Sequence, residues 1–230
     1  MTTSASARQR ILKSIRVSTS AIAAVNPSEE SKAHAPLAEA YIRHGKLDRT
    51  TCLQLMIERL REYEAEVVEC SPEQLGATIK DKLLASGKRT FVVPAGLPGA
   101  WRAAGFDWMI DDGHGAGRGL AANEIEKTEG VVTASFCGVA DSGTIILHHS
   151  AQEGRRVLTL LPDWHLCILL ASHVVETLPE YFDRCAQPPT LATYISGPSA
   201  TADIEMTRIK GVHGPRFLHV ILARDEPKVN

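Results

Sequence analysis

The sequence predicts an α/β domain built around a mainly parallel β-sheet. Residues 67–94 follow the order strand, helix, strand: VVEC is a short apolar run, SPEQ opens an amphipathic segment, and RTFVVP is a second apolar run. Such a unit forms a parallel sheet through a right-handed crossover. More runs rich in β-branched residues follow residue 130. With 230 residues, 44% of them hydrophobic, the chain is long enough to bury a substantial core.

Three segments show the spacing of apolar residues or the capping residues that are typical of helices. In CLQLMIERLREYEAE, the apolar residues of 53–63 recur at steps of three and four, which predicts an amphipathic helix. Ser71–Gln74 (SPEQ) is a capping box with proline at the first helical position, and its helix is expected to stop at Gly87. Thr177–Glu180 (TLPE) is a second capping box and predicts another helix.

Four short apolar runs in the second half, VVTA, TIILHH, RVLTLLP and HLCILLA, predict strands of the central sheet, and FLHVILA predicts the last strand. LTLLP fits a helical turn equally well, because periodicity cannot decide so short a run. Glycine-rich residues 96–119 predict a long loop. GRGLAA, residues 117–122, matches the loosest dinucleotide pattern, but the acidic loop before it argues against nucleotide binding.

Composition and charge limit the partners. A net charge of −2 offers no basic field for nucleic acid or for an anionic membrane surface. No run approaches the roughly 18 apolar residues of a membrane span, so we expect a cytoplasmic protein. Residues 1–45 are predicted to be an N-terminal helical segment, with a transit peptide as the alternative, and residues 46–230 the α/β domain.

The cysteines argue against a metal or cofactor in this chain. They are scattered, which excludes the paired cysteines of zinc sites and the closely spaced run of an iron–sulfur site. We expect reduced, mostly buried thiols. His148 and His149 are adjacent, so in a strand they point to opposite faces and do not share a metal ion. The five cysteines are Cys52, Cys70, Cys137, Cys167 and Cys185.

Three turns rich in glycine and hydroxyl groups are the candidate functional sites. The first is ADSGTI, in which Asp141 is a candidate acid, base or nucleophile. The hydroxyls and backbone amides of Ser142, Gly143 and Thr144 surround this carboxylate and are candidate ligand contacts. The simpler alternative is an Asx-turn that joins two segments and binds nothing.

The second turn is SGPSATADIE, where the sequence predicts a junction between a loop and a helix. Ser199 or Thr201 is expected to be the N-cap, with Asp203 and Glu205 in the first helical turn. Two carboxylates suit a small carboxylic acid, a hydroxyl group or a partner's basic side chain better than a phosphate. A capped turn without a ligand is the alternative. The candidate binding residues are Ser196, Gly197, Ser199, Thr201, Asp203 and Glu205.

The third turn is GVHGP. His213 lies between two glycines and is a candidate general acid or base, because the ordinary pKa of histidine is near neutral. Gly214 is a candidate ligand contact. Alternatively, the glycines only make the turn and leave His213 on the surface. Basic residues flank the turns, either as solvated groups or as clamps for carboxylate or phosphate: Arg155, Arg156, Arg208, Lys210 and Arg216.

In their order and spacing, ADSGTIIL, LLPDWH and ISGPSATADIE…GVHGPRFLHVIL resemble the signature of the LUD-domain family. The similarity runs from about Leu53 to Ala223. It implies a three-layer α/β sandwich like that of ribose-phosphate isomerases, glucosamine-phosphate deaminases and CoA transferases. It also implies a role in oxidising L-lactate to pyruvate, beside two partner proteins that carry iron–sulfur clusters.

Two positions depart from the usual family pattern. Ala200 stands where a basic residue is usual, and Asp141-Ser142 replaces Glu-Thr, which shortens the carboxylate by one methylene. Catalysis is sensitive to such displacements. The sequence therefore favours a cluster-free accessory component that is non-catalytic alone and binds a small carboxylate or a partner at the three turns. The alternative is a free-standing enzyme acting on a sugar phosphate or an acyl-CoA, with Asp141 or His213 as acid or base.

Overall fold

A computed structural model describes residues 3–20, 42–113, 117–185, 187, 189–201, 209–210 and 214–225. The chain divides into two compact units, Met1–Tyr41 and Ile42–Asn230. The first contains the described helix α1 (Thr3–Ser20). The boundary predicted after residue 45 stays a prediction. Gly45, just before that boundary, belongs to the second unit, where its backbone N–H donates to Glu180 Oε1 at 2.9 Å.

The second unit alternates helices and strands. Its described helices are α2 (Arg49–Glu62), α3 (Leu75–Ala85), α4 (Ala122–Ile125) and α5 (Leu178–Arg184). Its described strands are β1 (Glu66–Cys70), β2 (Thr90–Pro94), β3 (Asp107–Asp111), β4 (Gly130–Ala134), β5 (Cys137–Val139), β6 (Thr144–Leu147), β7 (Trp164–Leu170), β8 (Val174–Val175), β9 (Thr193–Ile195), β10 (Ala200–Thr201), β11 (Ile209–Lys210) and β12 (Phe217–Ala223). Within the part of the chain that is described, no helix has the length and apolarity needed to cross a membrane.

The main sheet contains six described strands in the order β1-β12-β7-β4-β2-β3, and every pairing is parallel. Its central strands are mostly apolar because both faces are covered. In the register, His165 of β7 lies beside Leu218 of β12 and Val131 of β4. The predicted α/β class with a mainly parallel sheet is confirmed, and the finer likeness to isomerases and CoA transferases stays a prediction.

The two faces of the main sheet carry different layers. Helix α3 covers one face, where Ile79 and Leu83 pack in one cluster with Phe91. Helix α2 and a smaller sheet cover the other face, where Leu53 of α2 joins Leu147 in a cluster with the sheet side chains. The main sheet is therefore the middle of three layers.

The smaller sheet has the order β8-β5-β6-β9, with β6 antiparallel to both of its neighbours. TIILHH, expected in the central sheet, supplies β6 here, so that placement was wrong. The physical reason is that β6 is buried on both faces. Ile145 packs in the cluster of α2 and the main sheet, whereas Ile146 packs in the cluster that contains Tyr181 of α5. An apolar run alone cannot distinguish the two sheets.

Two other expectations need correction. RVLTLLP is not a strand, because Arg156–Thr159 forms a 3-10 helix, as the alternative for this run allowed. The glycine-rich residues 96–119 are not one long loop, because they contain β3. This strand forms the described edge of the main sheet, where polar residues are tolerated, and its sequence DWMID therefore lacks a continuous apolar run.

Both predicted capping boxes open helical segments, but Thr177 directly precedes α5, whereas Ser71 precedes a 3-10 turn, Pro72–Gln74, that leads into α3. The backbone N–H of Ser71 donates to Gln74 Oε1 at 3.2 Å, one half of a capping box. The backbone N–H of Thr177 donates to a Glu180 carboxylate oxygen at 3.0 Å, and Thr177 Oγ1 accepts from the Glu180 N–H at 3.5 Å.

Candidate functional site

The first two candidate turns lie side by side. The ADSGT turn joins β5 to β6, and Ser196 follows β9, which pairs with β6. A chain of hydroxyls connects them: Ser142 Oγ lies 2.8 Å from Thr144 Oγ1, which lies 2.8 Å from Ser196 Oγ. Thr144 is buried, so these hydrogen bonds form where water competes poorly. The structure therefore brings together Ser142, Thr144 and Ser196.

Both turns also pack against the end of α2. Gly143 has φ 58°, and a Cβ there would lie 2.6 Å from Arg59 Cβ. Gly197 has φ 89°, and a Cβ there would lie 2.6 Å from Tyr63 Cβ. Only glycine combines this backbone conformation with such a close approach, so packing explains both glycines without a ligand. Asp141 is exposed at the first turn.

The third turn joins the second through the backbone. The N–H of Ser199 donates to the carbonyl of Pro215 at 2.8 Å. Ser199 is not a helix N-cap, because the next two residues form β10, antiparallel to β11. That expectation was wrong at Ser199, where local capping chemistry cannot reveal the pairing with β11. Asp203, Glu205 and His213 lie outside the described residues, and so does the helical turn that was to contain the first two.

A cavity of about 340 Å³ opens beside the second and third turns. The Arg156–Thr159 helix, β9 and the amino ends of β7 and β12 complete its wall. Among the predicted residues, it is lined by Ser196, Gly197, Ser199 and Gly214. Asp141 and Gly143 are not among its lining residues. We take this cavity as the candidate functional site.

His165 lines this cavity and was missed by the sequence analysis. The side chain is 1% exposed, and its Nε2 lies 2.8 Å from Thr133 Oγ1. Burial lowers the pKa of His165 to about 3, so the imidazole is neutral at physiological pH. The available signal was a histidine inside the otherwise apolar strand WHLCILL, because a buried polar group requires a partner.

The cavity lies at the amino ends of the strands, whereas open α/β sheets usually bind ligands at the carboxyl ends.

At the carboxyl end of β3, Arg155 donates two hydrogen bonds to Asp111, from Nε to Oδ2 at 3.0 Å and from Nη2 to Oδ1 at 2.6 Å. The N–H of Leu120 also donates to Asp111 Oδ1 at 2.8 Å. Burial alone would raise the pKa of Asp111, but Arg155 and this amide outweigh it and lower the pKa. The Arg155 guanidinium therefore binds a carboxylate of its own chain.

The adjacent histidines bind separate partners. His148 stacks on Phe136, and its Nε2 lies 2.8 Å from the Tyr181 hydroxyl. His149 donates from Nδ1 to the Gly154 carbonyl at 3.0 Å, and its backbone is left-handed, with φ 56°. The expectation that they do not share a metal ion stays a prediction. In the described ranges, no three His, Cys, Asp or Glu residues are grouped to hold a metal ion.

The cysteines are free thiols, and four of the five are buried. Burial raises the pKa of Cys137 to about 12 and that of Cys167 to about 12. Both side chains are therefore protonated at neutral pH. The expectation of reduced, mostly buried thiols is confirmed.

A larger cavity of about 470 Å³ lies between the start of α2 and α5. Its carboxylates already have partners in the chain, because Glu176 accepts from the Leu47 N–H at 2.7 Å and Glu180 from Gly45. Through these hydrogen bonds, the carboxylates of this cavity hold the segment before α2 in place. We therefore favour the smaller cavity, which is formed by the signature turns.

Comparison with known proteins identifies the family. Residues 53–223 match the LUD domain family, so the chain belongs to the LUD-domain family. A lactate utilization protein C of Deinococcus radiodurans is 36% identical over 179 residues, 76% of this chain and 81% of that protein. A protein of the same name from Bacillus subtilis is 34% identical over 130 residues, 52% of this chain and 50% of that protein. The crystal structure of a DUF162 family protein from D. radiodurans has a TM-score of 0.64 and 31% identity, covering 78% of this chain and 100% of that one.

The hydroxyl chain can be tested by Thr144→Val. The substitution keeps the side-chain shape but removes the central hydroxyl, and we expect the free energy of unfolding to fall by about 1–2 kcal/mol in urea titrations. Ser142→Ala is the control, because Ser142 is exposed and its loss should cost less than about 0.5 kcal/mol. Equal losses for the two variants would show that Thr144 does not join the turns.

Proposed function

We propose that this protein acts in lactate utilisation, as a cluster-free component of a system that oxidises L-lactate to pyruvate. It binds a small carboxylate or a partner protein at the 340 Å³ cavity. The observation that carries the proposal is the convergence of two signature turns, Ser196–Ser199 and Gly214-Pro215, on that one cavity. The names of the relatives from D. radiodurans and B. subtilis supply the physiological context.

The thiols support a cluster-free role for this chain. An iron–sulfur cluster requires several cysteine thiolates held close together. In the described ranges no three His, Cys, Asp or Glu residues are grouped, and the thiols at 137 and 167 remain protonated because they are buried. We therefore assign the iron–sulfur clusters of the system to partner subunits.

The charge of the cavity supports a small carboxylate as ligand. Of the described residues that line it, Arg156 alone carries a formal charge, and hydroxyls such as those of Thr159 and Ser199 supply much of the remaining polarity. One guanidinium suits one carboxylate, because the two groups form paired hydrogen bonds. A phosphate ester or CoA, the ligand of the alternative enzyme, carries more negative charge than this lining balances.

Capture of the tagged full chain from lactate-grown cells of its own source tests the component role. Mass spectrometry should find cysteine-rich partner proteins, and the eluate should contain iron that is absent when the tag alone is used. Recovery of the protein alone and free of iron would contradict the role. In that case, a rise in melting temperature with phosphate esters or CoA would support the free-standing enzyme.

A further inference from the structure

A buried histidine forms part of the wall of the candidate cavity. His165 is the second residue of β7, and its ring lies on the face of the sheet that also presents Leu218 to the cavity. A fully buried imidazole is rare unless a hydrogen bond compensates for its lost hydration. Here one compensating bond is present, to Thr133 on the neighbouring strand.

Among the described residues, only one of the two ring nitrogens has a partner. Nε2 lies 2.8 Å from Thr133 Oγ1, whereas Nδ1 makes no hydrogen bond within the described part of the chain. A neutral imidazole has one donor and one acceptor, so the second nitrogen keeps hydrogen-bonding capacity that no described residue uses. Because the ring lines the cavity, Nδ1 is the group that His165 offers to a ligand.

We propose that the cavity recognises a small hydroxy- or oxo-carboxylic acid, with its carboxylate on Arg156 and its hydroxyl or keto oxygen hydrogen-bonded to His165 Nδ1. The inference rests on the proposed function and deepens it by naming the ligand class. Arg156 supplies the positive charge, and His165 supplies a neutral group suited to an uncharged oxygen.

Thr133 lets the same histidine serve both forms of such an acid. When the Thr133 hydroxyl donates to Nε2, the proton of the ring is on Nδ1, which then donates to a keto oxygen. When Nε2 carries the proton and donates to Thr133, Nδ1 accepts from a hydroxyl group. The exchange of a hydroxy acid for an oxo acid therefore combines rotation of the Thr133 hydroxyl with a change of ring tautomer, in which one ring nitrogen releases a proton to water and the other takes one up, so the net charge is unchanged. His165 is a binding residue in this account, and Thr133 is a positioning residue.

Calorimetric titration of the full chain tests the inference with three probes: L-lactate, pyruvate, and propionate, which lacks the additional oxygen. We expect lactate and pyruvate to bind about tenfold more tightly than propionate, the equivalent of one net hydrogen bond. His165→Leu should bring the three affinities to within about twofold of one another while leaving propionate binding unchanged.

Two further variants keep the test decisive. Thr133→Val combined with His165→Leu removes both partners of the buried hydrogen bond, so neither polar group is left unpaired. If His165→Leu alone unfolds, the double variant should stay folded and serve in its place. His219→Gln is the matched control, because His219 is on β12 and packs against Trp164 on the opposite face of the sheet. The His219→Gln variant should keep the tenfold preference for lactate and pyruvate over propionate.

The outcomes separate this inference from the proposed function. Equal binding of propionate and lactate by the unmodified chain, or a preference that survives His165→Leu, overturns the role of His165. If no acid binds but the capture experiment recovers iron-containing partners, the ligand class is wrong and the component role stands. If the acids bind with the predicted preference but no partner is recovered, the ligand class stands and the component role fails.

Discussion

Replacement of Asp111 by alanine is expected to lower the free energy of unfolding by about 3–5 kcal/mol, because it leaves a partly buried arginine without its partner. Asp111 is 1% exposed and accepts two hydrogen bonds from Arg155 and one from the Leu120 N–H. The variant loses all three at once. Among the described residues, Arg155 then keeps its bond to the Leu120 carbonyl, at 2.8 Å.

The matched control is another pair with the same two-bond geometry on the surface. Arg216 donates to both oxygens of Asp163 at 2.6 and 2.7 Å, but the side chains are 53% and 36% exposed. Asp163→Ala should therefore cost no more than about 1 kcal/mol. Urea unfolding of the two variants measures the comparison. Similar losses would contradict the view that burial makes the Asp111–Arg155 pair important.

The same pair predicts a dependence on pH. The pKa of Asp111 in the folded chain is lower than its ordinary value of 3.8. The contribution of its charge to stability is therefore complete above the pKa of the unfolded chain and is lost as the pH falls through the folded pKa. The difference in stability between the unmodified chain and Asp111→Ala should shrink below about pH 4.

Gly143→Ala has the second largest expected effect, a loss of about 2–5 kcal/mol of the free energy of unfolding. The left-handed backbone penalises any Cβ by about 1–2 kcal/mol, and the overlap with α2 adds about 1–3 kcal/mol. The new Cβ would lie 2.6 Å from Arg59 Cβ and 2.9 Å from its backbone carbon, so a side-chain rotation cannot relieve the overlap.

Gly87→Ala separates these two contributions. Gly87 has a similar φ of 68°, but no atom lies within 4 Å of a Cβ added there. Its alanine variant should lose only the conformational part, about 1–2 kcal/mol. The larger loss at Gly143, measured in urea, should come with a weakened hydrogen bond between Thr144 and Ser196. Equal losses at Gly87 and Gly143 would mean that the first turn can move away from α2.

The sequence predicted those elements whose signals are local. The capping boxes at Ser71 and Thr177 place helix starts from a few residues each, and β-branched runs mark strands that are buried on both faces. Local signals could not assign β6 to the smaller sheet. A strand buried between α5 and the main sheet shows the same kind of apolar run as a strand of the main sheet itself. They also missed β3, whose edge position tolerates aspartates at both ends.

The candidate site was predicted in part. The glycines and hydroxyls of the turns are visible in sequence, and the structure joins Thr144 to Ser196 across the pairing of β6 with β9. The partner of His165 was not predictable, because Thr133 is 32 residues away and becomes a neighbour only through the register of β4 and β7. For the same reason, the Asp111–Arg155 pair, 44 residues apart, was not foreseen.

Binding of a small carboxylate at the cavity beside the second and third turns is tested most directly by titration of the ¹⁵N-labelled full chain with pyruvate, followed by amide chemical shifts. We expect the largest shifts at Gly197, Ser199 and Gly214, which line this cavity. Shifts confined to Gly45 and its neighbours at the larger cavity, or no shifts at all, would contradict the account.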